Sequence, residues 1–259
     1  MFTLVTHELC SHSLHVLNAD ETGIPILGKN KWLHSLSNSD WTLYHVHDKR
    51  GSEAMIDMGI LPDYEGVLVH DFWKSYFKFE VTHAMCCAHL LRECQGISDN
   101  HGGAWAGDMK NLLQLTWHRV KQKRQLGERL SEEEKTAIFR EYDTIVETGQ
   151  GSLEGIPKCA VETDAKNLLI RFAEHKTDIL RFVADDKVPF DNNQAERDVR
   201  MVKVKSKVSG SFRTMEGAKQ FATLRGFIST LRKQGRDVLN ALGDAVIGRF
   251  SFGKVEAPE

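Results

Sequence analysis

Three acidic residues stand where carboxylate chemistry could be built. Asp20 follows the apolar run Val16-Leu17-Asn18-Ala19, and Asp71 follows Val67-Leu68-Val69-His70. Glu196 lies far downstream on a segment that reads as a capped helix. Carboxylates that converge at strand ends suit hard cations such as Mg²⁺, which take oxygen ligands and keep waters for substrate phosphates. Two such ions about 3.5–4 Å apart activate the attacking oxygen and stabilise the leaving one in phosphodiester cleavage. Acidic residues also end strands simply as turn formers, and the spacing alone leaves both readings open.

The elements that must position these groups change character along the chain. The first 80 residues read as strands and turns. A short strand, 14–19, ends at the turn signal Asp20-Glu21-Thr22-Gly23. Residues 24–27 and 31–36 form the arms of a hairpin around Gly28-Lys29-Asn30, and 41–46 form a β-rich third strand. A helix over 51–58 and a fourth strand over 66–71 follow. From His83 onward the period is helical, with helices over 89–94 and 108–126. Ser131 to Glu134 is a capping box opening a helix to about Glu147, and Gly149-Gln150-Gly151-Ser152 reads as a flexible joint. Helices over 163–173 and 178–183 come next. Asp191 is placed to cap the following helix, with Gln194 in the reciprocal position. There Ala195, Val199 and Val202 share one face, and Asn192, Glu196, Arg200 and Lys203 share another. Met215 to Lys233 is a strong helix, and Asp237 caps a last one to about Ile247.

The charge total is misleading. The 259 residues carry 34 Lys and Arg against 36 Asp and Glu, a net of −2, which on its face argues against a nucleic-acid partner. Between Arg197 and Arg236, however, eleven bases face only Asp198 and Glu216. That net of +9 leaves −11 on the rest of the chain. Phosphate attraction is local and screened beyond about 10 Å, so a basic segment on an acidic body can hold a DNA backbone. A pair of solvated helix faces is the competing reading of the same charges. Five cysteines, an odd number, point to reduced thiols and a cytoplasmic setting. No apolar run approaches the roughly 20 residues that span a bilayer, and the first residues read as neither a signal nor a transit peptide.

Four motifs occur in order: Asn18-Ala19-Asp20-Glu21-Thr22-Gly23; Leu68-Val69-His70-Asp71-Phe72-Trp73-Lys74-Ser75-Tyr76; Cys86-Cys87-Ala88-His89-Leu90-Leu91-Arg92-Glu93; and Val188 to Arg200, with the trailing Lys203 to Thr214. Together they resemble the ordered motifs of IS66-type insertion-sequence transposases, over about Val16 to Val246. The resemblance implies an α/β fold, a ribonuclease-H-like mixed sheet with a large helical insertion and C-terminal helices. The core would then divide as 1–82 and 188–250, with the insertion over 83–187. It implies a DDE triad of Asp20, Asp71 and Glu196, serving as catalytic residues and as ligands of Mg²⁺ or Mn²⁺. The substrate would be DNA, both transposon ends and target: water nicks the ends and the freed 3′-hydroxyl attacks the target. Arg197, Arg200, Lys203, Lys205, Lys207 and Arg213 would meet DNA, Asn192 would orient a water or phosphate, and His89 and Arg92 would neighbour the active site. Work on two DNA ends calls for a homodimer or higher oligomer, in the bacterial cytoplasm at the nucleoid. Longer family members carry DNA-binding and zinc-binding parts ahead of the first aspartate. Here nineteen residues precede Asp20, so the expectation is the catalytic part alone, with end-specific recognition in doubt.

His83, Cys86, Cys87, His89 and Cys94 have zinc-ligand types, but on one helix they would point to different faces. Cys87 and Cys94 read instead as buried small apolar groups. Among twelve histidines only His70, beside Asp71, stands out. Trp73 and Tyr76 either stack on a base or pack internally. Glu21 and the Asp185-Asp186 pair read as solvated turns. Two other functions compete: a ribonuclease-H-like nuclease acting on RNA–DNA hybrids or DNA junctions, and an inactive remnant that only binds nucleic acid. The intact triad positions, the long insertion and the basic segment favour the transposase.

Overall fold

The computed structural model describes residues 15–101, 103–153 and 160–252. His7, His12, Leu14 and the tail beyond Phe252 lie outside them. The fold is α/β. Five strands form a mixed sheet in the order β3-β2-β1-β4-β5, where β1 is Val16–Ile26, β2 Lys29–Ser37, β3 Thr42–His47, β4 Val67–His70 and β5 Thr82–Met85. The helices are α1 Ser52–Asp57, α2 Cys87–His101, α3 Ala104–Gln125, α4 Glu132–Ser152, α5 Ala160–Glu174, α6 Lys176–Ile179, α7 Arg181–Ala184, α8 Asn193–Ser209, α9 Met215–Lys233 and α10 Val238–Val246. The described chain divides into two compact units, one of residues 18–64 and 194–252, the other of 15–17 and 65–193. No helix among the described residues is long and apolar enough to cross a membrane.

In the first unit, β1, β2 and β3 form an antiparallel meander. β1 does not stop at Asp20, as expected, but runs on to Ile26. Thr22, Ile24 and Ile26 are buried on that continuation, and ladder pairing with β2 outweighs the local turn preference of Asp-Glu-Thr-Gly. The reversal comes at Leu27-Gly28, where both residues take positive φ, 51° and 74°. This is the two-residue turn whose twist matches a hairpin, and Lys29 and Asn30 are already paired in β2. Asn38 shapes the next reversal: its Oδ1 accepts the backbone N–H groups of Asp40 and Trp41 at 2.9 and 2.7 Å. Ile24, Ile26, Leu33, Tyr44 and Val46 of the meander pack with Val199 and Val202 of α8, Phe212, and Ala218 and Ala222 of α9. Phe212 is tied to the hairpin, donating its N–H to Pro25 O at 2.8 Å and accepting from Leu27 N at 2.9 Å. Asp237 caps α10 through Asn240 N, as the sequence predicts.

In the second unit, β4 pairs in parallel with β5, Leu68 opposite His83 and His70 opposite Met85. β5 was not foreseen, because the helical period was read from His83; four residues are too few to show alternation. Val67 N donates to His15 O at 2.8 Å, so the start of β1 lies beside β4 within this unit. The helices gather around a core that includes Leu90, Trp105, Met109, Leu113, Tyr142, Leu168, Phe172 and Phe182. The Ser131 capping box is present in both halves, Glu134 N to Ser131 Oγ and Ser131 N to Glu134 Oε2. The expected joint at 149–152 is helical instead. Gly149 is buried within α4, where an added Cβ would meet Leu169 Cδ2 at 2.6 Å and the Trp105 ring at 3.0 Å. Its glycine serves close helix packing and gives no flexibility.

Candidate active site

Asp20 lies in the interior of β1, half-buried, directly opposite Ser35 of β2. Its Oδ1 accepts the backbone N–H of Glu21 at 2.9 Å. Side chains alternate across a strand, so Asn18, Asp20 and Thr22 share one face with Ser37, Ser35 and Leu33 of β2. Glu21 points to the opposite face and is no solvated turn residue. Its side chain is 1 % exposed and its Oε1 accepts from Arg50 Nε and Nη2 at 2.9 and 2.8 Å. The strand that continues past Asp20 places Glu21 inside, and Arg50 neutralises it.

Asp71 is the first residue beyond β4, half-buried at the strand end as expected. Its Oδ1 accepts the N–H of Trp73 at 2.9 Å, which fixes the carboxylate against the turn that follows. His70 before it is fully buried. Its Nδ1 bonds the carbonyl of Asp71, its Nε2 meets Nδ1 of His83 at 2.9 Å, and its ring packs on Tyr76 and Phe77. Burial pushes the His70 pKa down to about 3, with the Asp71 carbonyl opposing. The ring is therefore neutral, and it acts as a prop for the Asp71 backbone. Tyr76 is 2 % exposed and packs internally, so it is not open to a base.

Glu196 occupies the first turn of α8, half-buried. Asp191 Oδ1 accepts Asn193 N at 3.0 Å at the start of that helix. Gln194 does not complete a reciprocal cap; its side chain donates to Asp198 Oδ2 at 3.2 Å. Ala195, Val199 and Val202 are buried, as their spacing predicts. The helix is anchored by a buried ion pair the sequence reading missed. Lys233 Nζ donates to Asp198 Oδ2 at 2.9 Å and to the carbonyls of Asn38 and Trp41, while Tyr44 Oη donates to Asp198 O at 2.8 Å. Burial lowers the Lys233 pKa, and Asp198 opposes the shift.

The basic segment is therefore not one surface. Arg197, Arg200, Lys203, Lys207 and Arg213 are exposed. Lys205 lies over the Phe212 ring at 3.4 Å and donates to Gly210 O at 3.3 Å. Lys233 is turned inward. Asn192 is 3 % exposed, and its backbone N–H donates to Cys86 Sγ at 3.2 Å. His89 is half-buried in the first turn of α2 and Arg92 is exposed. Cys87 and Cys94 lie in the core, where burial raises both thiol pKa values, Cys94 to about 12. They are apolar filler, as expected. Asp185 is engaged too, bonding His15 and accepting Lys187 N at 2.9 Å.

Sequence reading also passed over the polar lining around Asp20. Asn18, Ser35 and Ser37 are 7 %, 1 % and 0 % exposed. Alternating serines in His34-Ser35-Leu36-Ser37 were the one available signal. All three carboxylates offer hard oxygen donors, the donor type that Mg²⁺ and Mn²⁺ take.

A stretch of 81 residues is 30 % identical to the uncharacterized protein y4jO of Sinorhizobium fredii. It covers 31 % of this chain and 25 % of that protein. Residues 4–220 match the family model described as Transposase IS66 family, a span that contains Asp20, Asp71 and Glu196. The chain belongs to the IS66 family of transposases.

Proposed function

We propose that this chain is a metal-dependent DNA transposase domain with a ribonuclease-H-like core, in which Asp20, Asp71 and Glu196 hold Mg²⁺ or Mn²⁺. The observation that carries the reading is the family match across all three carboxylate positions. The mixed sheet supports it, with Asp20 on β1, Asp71 at the end of β4, and a helical insertion between β5 and the helix that bears Glu196. That is the arrangement the family resemblance implies.

When bound, the metal would activate the attacking oxygen and stabilise the leaving oxygen of a phosphodiester. The chain's own groups supply the rest. Trp73 N and the His70 ring hold Asp71 in one orientation. The Asp198–Lys233 pair fixes the helix that presents Glu196. Arg200 and Lys203, one and two turns beyond Glu196 and both exposed, would meet DNA phosphates, Arg200 as a planar fork and Lys203 as a point charge. Because those contacts release counterions, binding weakens steeply with salt.

A nicking assay tests the reading. End-labelled duplex is incubated with the wild type or with Asp71→Asn, in Mg²⁺, in Mn²⁺ and in EDTA. Cleavage only by the wild type and only with metal supports it. Equal nicking by both proteins contradicts it, as does binding by both with cleavage by neither.

A further inference from the structure

We propose that Ser35 is a positioning residue for Asp20, holding its carboxylate for the metal; the inference rests on the metal-site reading above. Asp20 and Ser35 are direct partners in the antiparallel β1–β2 register. Directly opposite side chains share a face with Cβ atoms about 4.5–5.5 Å apart. An aspartate and a serine at that separation are within reach of one hydrogen bond. Ser35 is 1 % exposed, and its Oγ has no hydrogen-bond partner among the described residues. Ser37 Oγ and Asn18 Oδ1 on the same face are likewise buried and unpartnered, while Asn18 Nδ2 donates to Ser37 O at 3.4 Å.

Buried polar atoms are almost always paired, and an exception calls for a reason. Alanine at Ser35 would remove an unmatched hydroxyl at no packing loss beyond one atom. The hydroxyl therefore contributes nothing to folding that alanine would lack. Its position supplies the reason. A carboxylate that binds a cation through one oxygen has lone pairs left on the other, and a cross-strand hydroxyl donates to it. Groups that orient a metal's ligands in this way typically set affinity by about 10–100-fold. Ser37 has the same burial and chemistry but pairs with Asn18, one step removed from Asp20. It is the internal control.

The test measures Mn²⁺ binding to the full chain without DNA, by the electron paramagnetic resonance signal of free Mn²⁺. Wild type, Ser35→Ala, Ser37→Ala and Asp20→Asn are compared, with thermal unfolding of each. The expected result is an affinity at least about tenfold weaker for Ser35→Ala, a melting temperature equal to or above wild type, wild-type affinity for Ser37→Ala, and loss of binding for Asp20→Asn. Wild-type affinity in Ser35→Ala, with binding lost in Asp20→Asn, overturns the role of Ser35 and leaves the metal site standing. Equal weakening in both serine variants overturns it as well, since packing would then explain the loss. Wild-type affinity in Asp20→Asn overturns the metal-site reading itself.

Discussion

Replacing Lys233 with methionine tests how the helix bearing Glu196 is held. Methionine keeps most of the apolar stem and deletes three bonds, to Asp198 Oδ2 at 2.9 Å, Asn38 O at 3.0 Å and Trp41 O at 3.2 Å. The Lys233 and Asp198 side chains are 11 % and 7 % exposed, so water does not replace what is lost. Among the described residues Asp198 would keep Gln194 Nε2 at 3.2 Å and Ser229 Oγ at 3.4 Å as side-chain donors. Leaving one charge of a buried pair uncompensated costs about 3–5 kcal/mol, whereas breaking an exposed pair costs about 0–1 kcal/mol. Against a total stability on the order of 5–15 kcal/mol, the loss is large. With a urea slope of about 1–3 kcal/mol per molar, the unfolding midpoint should fall by more than about 1 M. Asp198→Leu added to Lys233→Met removes the stranded charge and should recover most of the loss. A single-variant cost under about 1 kcal/mol, or a double variant as unstable as the single, would refute the burial argument.

The remaining expectations concern other parts of the chain. Burial pushes the His34 pKa down to about 4, with the Lys49 carbonyl opposing. The unfolded chain takes up that proton first, so this contribution is complete above about pH 6.5 and is lost as pH falls to about 4, a change of about 3 kcal/mol that His34→Gln should flatten in urea titrations at pH 7 and 4.5. Gly149→Ala gains about 1 kcal/mol of helix propensity but drives a methyl to 2.6 Å from Leu169 and 3.0 Å from Trp105. A net loss of about 1–3 kcal/mol is expected by calorimetry, and a stabilised variant would show that α4 and α5 yield at no cost. Arg200→Ala and Lys203→Ala should each lower the log–log salt slope of DNA binding by about 0.9, while Lys233→Met leaves it unchanged.

Strong local signals carried over from sequence to structure. The Ser131 box and the Asp237 cap rest on contacts within a few residues, and the hairpin forms with its turn moved back to Leu27-Gly28. Legibility fails where partners distant in sequence decide. β1 continues through a turn-like Asp-Glu-Thr-Gly because β2 pairs with it, and only that continuation buries Glu21 beside Arg50. Gly149-Gln150-Gly151-Ser152 stays helical because Trp105 and Leu169 need the missing Cβ. Lys233 counts toward the net charge of the basic segment until Asp198, 35 residues upstream, is seen to hold it. The strand end at Asp71 was legible in the sequence. Ser35 was not, because its significance depends on the register that sets it opposite Asp20.

We propose that Asp20, Asp71 and Glu196 hold one metal centre. Crystals grown with Mn²⁺ and measured at the manganese absorption edge test it most directly. The expected result is an anomalous peak about 2.0–2.3 Å from carboxylate oxygens of all three residues, and its loss in Asp71→Asn. Manganese bound elsewhere, or a peak that survives in Asp71→Asn unchanged, would contradict it.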